Sequence, residues 1–218
     1  MFQSIISLDT LSRLIAILVA VTVHEFSHAW TANYLGDPTA KYEGRLSLNP
    51  IRHLDPIGTA VLLLLLFTTG FGFGWGKPVP VNPYNLRGRH GELLVSLAGP
   101  FSNFIIAILL VLGLYLLPPN ITGSWSASFT NLISIVALIN IAIGIFNLIP
   151  VPPLDGSKVL FDLLPPGQSE LKSNIEKYGL VIFFISLFFL WGFLASLTIL
   201  IMQAILYLGQ ALNFALYH

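Results

Sequence analysis

Three residues carry the strongest chemical signal in the sequence: His24, Glu25 and His28, in the run His24-Glu25-Phe26-Ser27-His28. On a helix, imidazoles at i and i+4 stand one above the other on one face, where both can reach a single metal ion. Glu25 lies one position round, within reach of a water on that ion. Zinc with three protein ligands lowers the pKa of the water in its fourth position to about 7 and polarises a carbonyl. A neighbouring carboxylate can take that water's proton and hand it to a leaving amine. This is the chemistry of peptide-bond hydrolysis. With five His and five Glu in 218 residues, the pattern His-Glu-x-x-His would arise by chance only about 0.003 times per chain.

Such a site needs a third ligand. The chain has no cysteine, so His, Asp or Glu must supply it. His53, His90, Glu92, Asp155 and Asp162 all lie in loops or at the ends of apolar runs. Asp155 stands out because it immediately follows an apolar run, in Asn147-Leu-Ile-Pro-Val-Pro-Pro-Leu-Asp155-Gly156. A plain turn residue would also suit that Pro/Gly-rich setting. Asn140 and Asn147 are seven apart on one helical face upstream. As amide donors they could hold a substrate backbone or an oxyanion, or they could bond between helices, worth about 0.6 kcal/mol in membranes. Gly99 and Asn103 read as permitting close helix packing, and His53 as structural.

The elements that position these residues are apolar. Hydrophobic residues make up 55% of the chain and charged residues 9%, against about 25% charged in a soluble domain, with mean hydropathy +0.82. This excludes a soluble globule, and a formal net charge of zero excludes the basic footprint of a nucleic-acid binder. Ionisable groups inside an apolar span are costly and suggest a function. Apolar runs cover about 11–35, 57–71, 93–117, 129–149 and 178–217. The last is too long for one crossing and is expected to break near Gly192, with its second part either spanning or lying at the interface. Residues 70–81, with aromatics alternating with glycine and then Lys77-Pro-Val-Pro-Val81, predict an extended strand or hairpin. The expectation is an all-α polytopic membrane protein with about 5–6 membrane segments, one of them a re-entrant Gly-rich hairpin. It would form a single domain, 1–218, with a catalytic core at about 11–160 and C-terminal membrane segments at about 178–217.

Charge placement selects the topology. If the short second run crosses fully, the basic residues divide between the two sides. If it dips in and returns, Lys41, Arg45, Arg52, Lys77, Arg87, Arg89, Lys158, Lys172 and Lys177 share one side and leave Arg13 near the other. The second arrangement obeys the positive-inside rule, and irregular backbone at membrane depth is permitted where protein buries it. It also brings the end of the fourth run, and so Asp155, to the side where His28 lies. The full crossing would separate them.

His24-Glu25-x-x-His28, Gly99-Pro100-x-x-Asn103 and Asn147-x-x-Pro150-x-Pro152-x-Leu154-Asp155-Gly156 resemble, in order and spacing, the motifs of the site-2 protease family of intramembrane zinc metalloproteases. Asn49-Pro50-x-x-His53-x-Asp55-Pro56 and Gly74-Trp-x-Lys77-Pro78 resemble its compact members, which lack a PDZ module. The resemblance implies His24, His28 and Asp155 as ligands to one Zn2+ per chain, and Glu25 as general base. It implies hydrolysis of peptide bonds in or near transmembrane segments of membrane-protein substrates. The family pattern also tilts Asn140 and Asn147 toward substrate or oxyanion roles. The expected location is the cell membrane, multi-pass, with lipid and a transmembrane substrate as partners and the active site opening toward the cytoplasm. The rival class is a zinc transporter or a non-proteolytic metal-binding membrane protein. That would call for further acidic or His ligands on facing helices, and the later apolar runs carry none in their interiors.

Overall fold

A proline-free apolar stretch gives the first helix, α1 (Leu8–Tyr34), which ends where Gly36 takes φ +107° ahead of Asp37-Pro38. In the computed structural model, which describes residues 8–70, 72–118, 127–165 and 167–217, α2 (Thr39–Tyr42), α3 (Pro56–Thr69), α4 (Gly91–Leu116), α5 (Ala127–Asn147), α6 (Asp155–Leu163) and α7 (Ser169–Tyr217) follow. Short 3-10 turns lie at Pro50–His53 and Pro83–Asn85. Among the described residues, helices α1, α4, α5 and α7 are the four long and apolar enough, by length and composition, to cross a membrane.

Small residues bring α1, α4 and α5 together, as expected where lipid removes the hydrophobic drive between helices and close packing takes over. Ala16, Ala20, Ala29 and Ala32 of α1, Ala107 of α4 and Ala137 of α5 are fully buried. A Cβ on Gly144 would stand 3.1 Å from the Phe104 ring. Val111, Ile141, Ile145, Met202 and Ile205 complete the core between α4, α5 and α7.

Helix α3 is capped at its start by the Asp55 carboxylate, which accepts from Gly58 N (2.8 Å), and at its end by Gly70 at φ +73°. Its 14 residues reach only about 21 Å, too short to cross a bilayer. Its C-terminal end lies by the start of α1, where Arg13 donates to Gly70 O at 2.7 Å. The chain then climbs back along α1. Gly72 packs on Ile17, Gly76 on Val21, and the Val79 amide meets Glu25. Helix and return strap therefore run out and back beside α1, the path that a re-entrant arrangement calls for.

The strap is not the strand or hairpin that the alternating pattern predicts. Among the described residues there is no ladder, only one antiparallel bridge between Leu54 and Gly76; Phe71 lies outside them. The reason is what faces the glycines. A Cβ on Gly74 would come within 2.6 Å of Gly58 O, so the strap's bare side lies on helices rather than on a partner strand.

The final helix also departs from expectation. It is one 49-residue element, with no break at Gly192 and no separate interfacial segment. No proline lies within it, and one glycine costs a helix interior only about 1 kcal/mol. Its length is about 74 Å. It packs from Pro152, against Gly179, to the far end of α4, where Asn213 Nδ2 donates to Tyr115 O at 2.5 Å.

The basic loops gather at the C-terminal end of α1. Arg87 N donates to Leu35 O (2.8 Å), and the buried Asp37 carboxylate accepts from Thr39 N and Oγ1, Asn82 N and Asn85 Nδ2. Burial alone would push the Asp37 carboxyl up, but these hydrogen bonds hold it below its usual range. His90 at the start of α4 pairs with Asp162 of α6 at 2.6 Å.

Candidate metal centre

His24 and His28 stand one turn apart on the face of α1 turned toward α4, and both are buried. Asp155, the first residue of α6, reaches them across more than 120 residues of sequence. Gly156 makes this possible, because a Cβ there would lie 2.4 Å from Leu148 O and 2.5 Å from Ile149 O. Only glycine lets α6 begin so close to the end of α5. Ile149 and Leu154, buried against Phe183 of α7, fix the loop between them.

Three atoms converge. His24 Nε2 and His28 Nε2 lie 3.0 and 3.1 Å from Asp155 Oδ2, and 3.0 Å from each other. The opposite ring nitrogens are already engaged. His28 Nδ1 donates to Val95 O at 2.7 Å, and His24 Nδ1 faces Asn103 Oδ1 at 2.8 Å. The direction of that second bond follows from backbone carbonyls, which can only accept. Val136 O takes Asn140 Nδ2 (2.8 Å), so Asn140 Oδ1 faces Asn103 and takes its Nδ2 (2.8 Å). Asn103 Nδ2 also donates to Ala20 O (3.0 Å), leaving its Oδ1 to accept from His24 Nδ1–H. Both imidazoles therefore turn a bare Nε2 lone pair toward a carboxylate oxygen.

Three acceptors at about 3 Å from one another repel unless a cation or a shared proton sits among them. One carboxylate and two neutral imidazoles, each with its far nitrogen hydrogen-bonded, is the donor set of a catalytic zinc with its outer partners. The spacing fits as well, since tetrahedral ligands at 2.0–2.1 Å stand about 3.3 Å apart. Gly99 completes the cradle: a Cβ there would lie 2.5 Å from His28 Nε2 and 2.7 Å from His24 Nε2. Among the described residues these three form the one group of His, Asp or Glu able to share an ion.

Glu25 is half-buried on the neighbouring face of α1, and its Oε2 accepts from Val79 N at 3.0 Å. The two α5 asparagines differ in their surroundings. Asn140 is fully buried with both ends of its amide used, behind Asn103. Asn147 Nδ2 is bonded back to Ile143 O at 3.0 Å within its own helix. His53 is buried apart from the centre, with Nε2 on Ser47 O at 2.6 Å. Sequence reasoning missed the role of Asn103, whose signal was a polar residue one turn beyond Gly99 in an apolar run. It also missed the Val79 amide, isolated between two prolines.

Comparison with known proteins agrees with the geometry. Residues 118–190, which include Asp155, match the model for peptidase family M50. The Bacillus subtilis protein named "Putative zinc metalloprotease YwhC" is 39% identical over 175 residues, covering 78% of this chain and 77% of that one. Rip2 of Mycolicibacterium smegmatis, named likewise, is 31% identical over 168 residues, 76% of this chain and 62% of its own length. RseP of Escherichia coli, the regulator of sigma-E protease, is 29% identical over 107 residues, 46% of this chain and 24% of its own. No solved structure matches. A relative 39% identical over more than three quarters of both sequences decides the kinship: the chain belongs to peptidase family M50, the site-2 protease family.

Proposed function

We propose that this chain is an intramembrane zinc metalloprotease that hydrolyses peptide bonds in or beside the transmembrane segments of membrane proteins. It would hold one zinc per chain on His24, His28 and Asp155, with Glu25 as general base. The observation that carries the reading is the meeting of two outward-anchored imidazoles and one carboxylate within 3.0–3.1 Å, beside two helices, α1 and α4, that are long and apolar enough to cross a membrane. When bound, the zinc supplies a water of lowered pKa and polarises the scissile carbonyl.

The chain's own residues do the rest. Val95 and Asn103 keep the protons of His28 and His24 on Nδ1, so that Nε2 stays free. Glu25 takes the proton of the attacking water at Oε1 or Oε2 and later gives it to the departing amine. The burial of His24 and His28 limits the water that reaches them. The strap at 72–81 offers extended backbone beside Glu25, and a substrate unwound from its helix could pair with it by strand addition. The loops bearing most of the basic residues lie at the end of α1 nearest His28, which favours an opening toward the cytoplasmic face of the cell membrane. Asn147, half-buried at the last position of α5 where the loop to Asp155 begins, is the better placed of the two α5 asparagines to meet a substrate.

The test is cleavage of a tagged single-span protein in proteoliposomes before and after metal removal. Chelation should abolish cleavage and stoichiometric zinc restore it, with no zinc flux across the vesicle. Full activity after complete metal removal would sink the reading.

A further inference from the structure

The run Lys77-Pro78-Val79-Pro80 places a single backbone donor, Val79 N–H, between two residues that have none. That donor goes to Glu25 Oε2 at 3.0 Å. The strap carrying it is held from behind by a buried arginine. Arg45 Nη2 donates to Lys77 O and to Pro78 O (3.2 Å), and its Nη1 donates to Arg52 O. Lys77 N in turn donates to His53 O at 2.8 Å, and Gly76 bridges Leu54. Arg45 is only 4% exposed, and no carboxylate forms an ion pair with it among the described residues. Its charge is spent on three carbonyls.

We infer that Arg45 is a positioning residue for Glu25: its guanidinium clamps the carbonyls of Lys77 and Pro78, so that the next amide, Val79 N–H, fixes the Glu25 carboxylate. This rests on the reading of Glu25 as general base. The physical need is clear. A glutamate has three rotatable side-chain bonds, and a proton acceptor must be held near hydrogen-bond distance of its target. Prolines at 78 and 80 stiffen the strap, but stiffness alone does not set its distance from α1. A planar fork gripping adjacent carbonyls does, and a flexible ammonium would do so less well. Displacement by about 1 Å at such a site can cost about 100-fold in rate.

The test compares Arg45→Met, Arg45→Lys, Val79→Pro and the double variant Arg45→Met/Val79→Pro with the native full-length protein in proteoliposomes, reading kcat, KM and bound zinc. The expected result for Arg45→Met is a kcat about 10- to 100-fold lower, with KM within about threefold and zinc retained. Val79→Pro, which deletes the donor, should lose a similar factor. The double variant should be no worse than the poorer single, because both act through one contact. Hydrogen exchange over 77–82 supplies a readout free of catalysis, and both Arg45→Met and Glu25→Ala should speed it. If Arg45→Met does not fold, Arg45→Lys, with an intermediate kcat, and Val79→Pro carry the test. Unchanged kcat in Val79→Pro, losses that multiply in the double variant, or zinc loss in a folded Arg45→Met would each overturn the inference. Glu25→Gln in the same assay separates the two ideas: if it cleaves normally, the general-base reading fails, while hydrogen exchange still reports whether Arg45 holds Val79 on Glu25.

Discussion

Asn103 of α4 sets the proton of His24 of α1: its Oδ1 lies 2.8 Å from His24 Nδ1, and its own amide nitrogen is tied to Ala20 O and Asn140 Oδ1. The chain of bonds begins at a carbonyl in α5 and ends at the lone pair of a candidate ligand, so three helices jointly determine which nitrogen faces the centre.

Replacing Asn103 with Ala should therefore weaken zinc binding by about 10- to 100-fold, the range found when a ligand's outer partner is removed. Competition with a calibrated chelator measures this. Asn140→Ala, one bond further out, should cost less, since Asn103 keeps its bond to Ala20 O. Equal and negligible effects from both would show that the relay does not govern the site.

Gly99 offers a steric test. An alanine Cβ would fall 2.5 Å from His28 Nε2, in the space where the three donor atoms meet. Gly99→Ala should leave helix content and detergent stability near native while bound zinc drops severalfold or more, as metal analysis and circular dichroism of one sample would reveal. A variant with native zinc content would contradict the proposed position of the ion.

Asp37 makes the loop cluster pH-dependent. Its folded-state pKa lies below the ordinary value because burial, which raises it, is outweighed by hydrogen bonds from Thr39, Asn85 and Asn82. A depressed carboxyl pKa gives stability that is fully present above the unfolded value, near 3.9, and lost as pH falls through the folded one. Asp37→Asn should thus be less stable than native by about 1–3 kcal/mol at pH 7. The gap should persist to about pH 4 and narrow below it, as thermal melts in detergent between pH 7 and 3 would record. A gap that grew on acidification would be the wrong sign.

The legible part of this protein was the part written in local spacing or in scarcity. His24 and His28 show their shared face because i and i+4 are neighbours on any helix. Asp155 could be placed because so few charges exist that the basic residues alone chose a topology. Asn140 was visible as a polar residue inside a span, but its role was not, because its partner Asn103 is 37 positions away and only the packed structure shows both ends of its amide used. The strap was misjudged for a related reason: alternation reports which side is bare, not whether a strand or a helix lies against it. Gly192 suggested a break in α7, yet nothing lies within 4 Å of where its Cβ would be, and neither packing nor proline forces the helix to end there.

The most direct test of the account is Glu25→Gln in proteoliposomes, with zinc content and cleavage of a single-span substrate measured on the same preparation. The glutamine keeps the shape and can still accept from Val79 N–H, but it cannot take up a proton. The account predicts about one zinc per chain in both proteins and cleavage by the native protein alone. Cleavage by Glu25→Gln at the native rate would contradict it.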